Sequence, residues 1–571
     1  MRNKIAVIVA ILATFLSGCH LIAAPSTPTV SQVSTSSPTQ TIRSTRTSPP
    51  PTLTPSPSPT ESPPQFKVIL HPDGGVYVGD LVSFEIIPLE EINLDQSTLS
   101  VSVEGQNIDL DDLGNFGHYG IAGRYQATLP WVWDTRTTQA GEVPLTFNIN
   151  PEGIAWEETV TLLPASEVSP PQPKARWAHE ESDCCLFYTI TDTASERDIE
   201  SITQIVDLQA MSVTSQMNTQ FSKPVVINLI PRTLGHGGFA SDEIFVSYSD
   251  RNYAGQNLST VVHHEMVHIL DAQIGGDLRP TIFVEGLAVY LTGGHFKSEP
   301  LIPRAAALLD PSEQENGLGW YLPLIPLADD FYNSQHEIGY LEAGSIVEYM
   351  VETWGWEAFS AFYRDIHPDE SGKQSAAIDK ALQIHFGITF QQLEKDFITK
   401  LLAEDVDPKN TDDLQLSVAF YKTVRRYEQA LDPSAYFLTA WLPDVKQMRE
   451  RGIIADFLRH PSTAENIALE TLLVSADTSL KSGDYTKAKR AIDAVGAVLN
   501  SMDEKLSTPF LVNSLANAHY QITQILLKEG YIAQTIEVEG MKATAHATTG
   551  WADLTEFSFA KQNGVWQGIS H

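Results

Sequence analysis

Between residues 66 and 165 apolar and polar residues alternate in short runs, at 66–70, 76–87, 98–103, 123–130, 143–149 and 158–163. Turn-forming stretches such as Pro72-Asp73-Gly74-Gly75, Glu104-Gly105 and Pro151-Glu152-Gly153 separate them. A period of two punctuated by turns predicts strands, and this spacing predicts an N-terminal β-sandwich of immunoglobulin-like type. After a Pro-rich joint at 164–173 the pattern changes. Strands are expected at 185–190, 225–230 and 244–248. A long amphipathic helix is expected from Ser195 toward Phe221, and an apolar helix over 257–270 with Ser259 as N-cap. Further helices are predicted at 280–291, 337–354, 357–364, 376–386 and 390–402, giving a central α+β domain over 174–405. Between the first two of these lies a stretch, 293–335, rich in Pro and in aromatics including Trp320, Tyr321, Phe331 and Tyr332. Its length suits either a lid or a poorly packed insertion. The last region, 406–571, reads as helices at 413–427, 436–451, 453–458, 464–480, 485–499 and 508–529. Antiparallel strands follow at 531–539, 542–548, 555–561 and 566–569, with a turn at Asn563-Gly564.

The first 65 residues have another character. A short basic start, Met1 to Lys4, precedes an apolar run at 5–16 that meets Ser17-Gly18-Cys19. The run is too brief for a comfortable membrane span and reads as an export signal. Leu16-Ser17-Gly18-Cys19 resembles the bacterial lipoprotein box, which implies cleavage before Cys19 and lipidation of that residue. Residues 20–65, dominated by Pro, Ser and Thr, cannot bury a core and are expected to form a spacer reaching on the order of 100 Å. The folded part is thus expected outside the cytoplasm, anchored by lipid to a bacterial cell membrane.

Charge and cysteine usage narrow the function classes. With 37 basic against 71 acidic residues and a net charge of -34, a nucleic-acid partner is disfavoured. Beyond Cys19 only Cys184 and Cys185 remain. Adjacent cysteines can pair only through a strained ring, so buried free thiols are preferred over a vicinal disulfide or a metal site, and a disulfide scaffold is excluded. In the β-rich region no catalytic constellation is present. It reads as a spacer or positioning module, with Trp131, Trp133 and Trp156 as the residues that would serve substrate or wall binding.

Candidate chemistry is concentrated in the helix over 257–270, which contains His264-Glu265-x-x-His268. Residues four apart on a helix stand over one another, so both imidazoles can reach one metal ion while Glu265 leans toward the attacking water. A catalytic zinc site needs a third protein ligand and one open position. Glu285 is the candidate ligand: sixteen residues separate it from His268, room for one helix to finish, turn at Gly275-Gly276-Asp277 and Pro280, and a second to run back. His236, in the loop Leu234-Gly235-His236-Gly237-Gly238-Phe239, reads as an ordinary polar loop residue near the cleft.

His264-Glu265-x-x-His268 together with Glu285-Gly286-Leu287-Ala288-x-Tyr290 resembles the gluzincin zinc metallopeptidases, most closely the peptidase MA-like domains. Tyr340-x-x-Ala343-Gly344-Ser345-x-x-x-Tyr349, Trp354-Gly355 and Phe386-Gly387 onward extend the resemblance, which covers residues 176–404. It implies one zinc ion held by His264, His268 and Glu285, Glu265 as general base, and a peptide or protein substrate lying along a sheet edge, for which residues 243–248 are expected. It also implies Tyr340 as donor to the oxyanion, with Tyr290 and His336 as rivals. The chain lacks the Gly-x-Met-Glu-Asn segment of related aminopeptidases, which tilts the expectation toward endopeptidase action. Where related enzymes carry an Asp four residues after the third ligand, Val289 stands here, leaving Asp271 to orient a ligand imidazole. The competing expectation is a catalytically inactive zinc-bound scaffold serving adhesion or surface binding.

Overall fold

A computed structural model describes residues 65–103, 113–235, 237–254, 257–550 and 553–569. Cys19, the Pro/Ser/Thr-rich spacer, the turn at Glu104-Gly105 and His236 lie outside the described residues. The described chain is multidomain: a β-rich N-terminal region, a central largely helical region and a C-terminal region ending in an antiparallel sheet.

The N-terminal region has strands β1 (Phe66–His71), β2 (Val76–Tyr77), β3 (Leu81–Pro88), β4 (Thr98–Val103), β5 (Gly114–Tyr119), β6 (Arg124–Asp134), β7 (Gly141–Asn150) and β8 (Ile154–Leu163). Their order is β1-β3-β6-β5-β4-β7-β8-β2. Between β5 and β4 the pairing is confined to Thr98 with Asn115 and Leu99 with Gly114, a narrow seam between two halves. Phe84 and Trp133 from one half meet Leu99, Leu145 and Phe147 from the other in a common core. The tryptophans named for the alternative, ligand-binding reading of this region are structural, in keeping with a spacer or positioning module. Trp133 is buried, and Trp156 stacks on Phe66 and Phe147 at 4.8 and 5.1 Å. Trp131 is buried against the central region, beside Ile190, Ile230 and Phe245. Burying these rings removes apolar area from water that a binding patch would have to leave exposed.

In the central region β9 (Trp177–Glu181), β10 (Cys185–Ile190), β11 (Val225–Ile230), β12 (Gly238–Ala240) and β13 (Ile244–Ser247) form a sheet in the order β12-β13-β11-β10-β9. The three inner strands are parallel and the two outer ones antiparallel to them. Two expectations are corrected here. The sheet edge is β12, not residues 243–248, because β13 is covered on one side by β11 and on the other by β12. Cys184 and Cys185 form a vicinal disulfide rather than free thiols. They sit at the turn into β10, where Asp207 Oδ1 accepts from Ser182 Oγ and the Cys184 backbone N–H.

Helices α1 (Ile199–Gln216), α2 (Leu258–Ile274) and α3 (Thr281–Thr292) come next, α1 and α2 packing on one face of this sheet. The stretch expected to lack structure contains α4 (Leu301–Ala306) and α5 (Leu324–Asp329), and then α6 (His336–Trp354), α7 (Trp356–Arg364), α8 (Gln374–His385) and α9 (Phe390–Leu402) complete the region. Leu301, Leu308, Leu324, Leu327 and Phe331 from that stretch join the main core, so it is a packed part of the domain.

The C-terminal region starts with α10 (Pro408–Leu431). The helix expected at 436–451 is largely replaced by a 3₁₀ turn (Phe437–Thr439) and an extended stretch, with only α11 (Val445–Arg451) remaining. Pro433 and Pro443 each lack the N–H that a continuing helix would use. Val445, Met448, Ile453 and Phe457 cover the sheet face turned away from α1 and α2. Helices α12 (Ala464–Lys481), α13 (Tyr485–Asp503) and α14 (Ser514–Lys528) follow, then β14 (Ile532–Glu539), β15 (Lys542–Thr548), β16 (Thr555–Gln562) and β17 (Val565–Gly568) in sequential antiparallel order. Asn563 and Gly564 take φ of 50° and 85° in the β16–β17 turn, as a two-residue hairpin requires.

Candidate metal centre

Helix α2 is capped by Asn257, whose side chain accepts from the Ser259 N–H at 3.0 Å; Ser259, the expected cap, is one residue inside. Val262, Met266, Val267 and Leu270 turn into the core, and His264 and His268 stand one turn apart on another face. Their rings are 4.7 Å apart at 86°. Helix α3 begins after Pro280 and ends at Gly293, which is left-handed with φ 76°. Its approach to α6 depends on two glycines. A Cβ at Gly286 would strike the Ala343 carbonyl, and one at Gly344 would strike the Val289 side chain. Val289 therefore fills the α3–α6 contact, fully buried.

This packing delivers Glu285 to the histidines. Its Oε2 lies 3.3 Å from His264 Nε2 and 3.3 Å from His268 Nε2. A tetrahedral ion with bonds of about 2.0–2.1 Å spaces its ligand atoms about 3.3–3.4 Å apart, so the donor set fits one such ion. All three side chains are buried or nearly so. Burial opposes the Glu285 charge, but the imidazoles outweigh it and hold the carboxyl well below the usual range. Burial also works against a charge on His268, and Glu285 overcomes it, lifting that pKa to about 9.

Glu265, the residue after the first histidine, is buried beside this cluster. Burial raises its pKa to about 7, with His268 opposing and Glu285 adding to the rise. A carboxyl near pH 7 is matched to taking and returning a proton. Gly238 of β12 lies against it: a Cβ there would be 3.6 Å from Glu265 Oε1 and would clash with Val261. Ser247 N donates to Gly237 O at 2.7 Å and Ser241 N to Glu243 O at 3.0 Å. By antiparallel alternation residues 237, 239 and 241 face β13, and the backbone groups of Gly238 and Ala240 face outward. Beside this edge a pocket of about 170 Å³ is lined by Val246, Ser247, Tyr248, Asp250, Leu258 and Val261.

Of the remaining expected residues, Tyr340 is in the site: it is buried, stacks on His295 at 4.0 Å and lies 6.4 Å from the His264 ring. Burial and then the Glu285 charge raise its pKa well above the ordinary phenol value. His336 is one layer further out, 4.2 Å from Tyr340 and 4.8 Å from Phe437 of the C-terminal region. Tyr290 is elsewhere, half-buried near Glu348 and Glu352. Asp271 does not orient an imidazole: its Oδ2 accepts from Arg279 at 2.9 Å and Tyr363 at 3.0 Å. The Nδ1 atoms of His264 and His268 are buried without a hydrogen-bond partner among the described residues.

Three site residues had no role assigned from the sequence. Tyr332 donates its hydroxyl to Glu285 Oε1 at 2.8 Å. His295 is sandwiched between His264 and Tyr340, and Gly238 borders Glu265. The Gly-rich loop at 234–239, the Gly293-Gly294 break after α3 and the aromatics of 320–332 were their signals.

No protein-family model matches this chain, and no curated protein is significantly similar to it.

A second group of ligand-capable residues, Asp432, His460 and Glu470, lies where the three regions meet, lining a cavity of about 150 Å³. Here the carboxylates are already answered. Arg232 donates to Asp432 Oδ1 at 3.0 Å and Tyr253 to Oδ2 at 3.2 Å. Arg251 and Tyr427 each donate to Glu470 at 2.5 Å.

Proposed function

We propose that this protein is a zinc-dependent peptidase of gluzincin type, with a zincin-like central domain and an immunoglobulin-like N-terminal one. The observation that carries this reading is that Glu285 Oε2 lies 3.3 Å from both His264 Nε2 and His268 Nε2, with all three ligand atoms within 4.8 Å of one another, beside the Glu265 carboxyl. His264, His268 and Glu285 would hold one zinc ion. When bound, zinc supplies Lewis acidity toward the scissile carbonyl and toward water.

The chain's own residues account for the rest. Gly238 and Ala240 bind the substrate main chain through their outward N–H and C=O groups, as a guest strand is held at a sheet edge. Glu265 accepts a proton from the attacking water; the C–N bond breaks as the same carboxyl returns that proton to the leaving amine. The pocket beside Val261 takes a substrate side chain. Tyr340 is proposed as the donor to the developing oxyanion. Peptide binding by backbone along an edge with both ends running on favours endopeptidase action. The location rests on sequence alone: Cys19 is proposed to carry lipid and to anchor the protein at a bacterial membrane, outside the cytoplasm. Among the described residues no helix is long and apolar enough to cross a membrane.

The test is a peptide-library digest by wild type and Glu265→Gln, each with and without chelator, with zinc content measured in parallel. The reading expects one zinc per chain in both and a fall in hydrolysis of about 10²–10⁴-fold in the variant. Zinc without hydrolysis in the wild type would favour the inactive binding scaffold instead. Absence of stoichiometric zinc would overturn both.

A further inference from the structure

The two oxygens of Glu285 have different neighbours. Oε2 faces both imidazoles at 3.3 Å, while Oε1 receives the Tyr332 hydroxyl at 2.8 Å. Tyr332 comes from the short link between α5 and α6, and its side chain is unusual in being 39 % exposed although its tip rests on a buried carboxylate. The link is pinned on one side by Phe331, which is buried and meets the rings of Tyr332 and Tyr340 edge-on at 5.5 and 5.1 Å. On the other side a tight turn closes, with Ser334 N and Oγ both donating to the Phe331 carbonyl at 3.1 and 2.5 Å. The phenol therefore spans from solvent to the metal-ligand carboxylate on a short, anchored segment.

Resting on the zinc reading above, we propose that Tyr332 is a positioning residue for the third ligand, and that the same hydrogen bond makes the link at 331–335 a metal-responsive flap over the site. A carboxylate with both oxygens free can rotate or bind an ion through either or both. A donor on Oε1 leaves Oε2 turned toward the imidazoles. Outer hydrogen bonds of this kind change metal affinity by about 10–100-fold. Binding free energies are reciprocal: whatever the hydroxyl contributes to holding zinc, zinc contributes to holding the flap. No other phenol of the stretch does this. Tyr321, on the same stretch, points its hydroxyl to Glu394 instead.

The experiment uses the full chain and zinc alone as probe. Zinc affinity is measured by competition with a chromophoric chelator in wild type, Tyr332→Phe and Tyr321→Phe. Tyr332→Phe keeps the ring against Phe331 and removes only the hydroxyl. Its zinc dissociation constant is expected to rise about 10-fold or more, with Tyr321→Phe within twofold of wild type. Amide hydrogen exchange at 331–335 is expected to slow when zinc is added to wild type and to respond less in Tyr332→Phe. A Tyr332→Phe affinity within twofold of wild type overturns the positioning role, and exchange at 331–335 indifferent to zinc in the wild type overturns the flap. Wild-type protein that binds no zinc overturns this inference together with the proposed function, whereas the other negative results leave that function standing.

Discussion

The clusters at His264, His268 and Glu285 and at Asp432, His460 and Glu470 both bring histidine and carboxylate within reach of one another, and they differ in what answers the negative charge. At Asp432, His460 and Glu470 each carboxylate is bonded to a guanidinium, from Arg232 or Arg251. At His264, His268 and Glu285 no Lys or Arg is paired with Glu285 among the described residues; it meets imidazoles and phenols. Buried charge must be compensated by something. Where guanidinium groups answer the carboxylates the cluster is mortar between regions, and where imidazoles and phenols answer them no permanent cation is built in, as the proposed zinc site would require. His268 and His460 shift in opposite directions, while burial lowers His264. Glu285 lifts His268 to about 9 against the effect of burial, whereas burial, then Arg232 and Arg251, pushes His460 down to about 3.

Four measurements test this contrast. The largest effect is expected for Arg232→Met, which strands Asp432 as an unpaired buried charge. Denaturant unfolding should show a loss of about 3–5 kcal/mol with zinc content unchanged. Glu285→Ala should weaken zinc binding by more than about 100-fold, some 2.7 kcal/mol, while Asp432→Asn keeps one zinc per chain by elemental analysis. Next, zinc at ten times its dissociation constant should raise the unfolding free energy by about 1.4 kcal/mol. That gain should survive His460→Gln and disappear in His264→Gln. The smallest is a pH effect. His460 stays neutral in the folded state while the unfolded chain gains a proton below pH 6.5, so its contribution is present above that pH and lost on acidification. It should cost about 1 kcal/mol between pH 6.5 and 5.5, and His460→Gln should flatten that part of the stability curve.

The grouping of His264, His268 and Glu285 was legible in the sequence because its geometry is mostly local. The i,i+4 spacing on one helix fixes the two histidines, and Glu285-Gly286 with Ala343-Gly344 encodes how closely α3 and α6 approach, since any Cβ would separate them. Helix α9 and strands β10, β11 and β15 likewise fall where periodicity puts them. What failed depends on long-range pairing. Strand β12 has three residues including a glycine, too short for any alternation to register, so the sheet edge was assigned one strand too far inward. Residues 436–451 alternate apolar and polar positions well enough for a helix, and only Pro443 speaks against it. Their shape is set by what they cover, the sheet face with Ile190, Ile230 and Phe245. The Arg232–Asp432 contact spans 200 residues of sequence, and nothing local announces it. Tyr332 was visible only as one aromatic among several.

The brevity of β12 has a consequence for a protein crowded beside others of its kind. Open strands are templates on which neighbouring molecules can zip together, and long apolar ones invite fibres. Here the exposed rim amounts to Gly238 and Ala240, followed at once by Ser241, Asp242 and Glu243. A sister molecule finds too few open backbone groups there to hold.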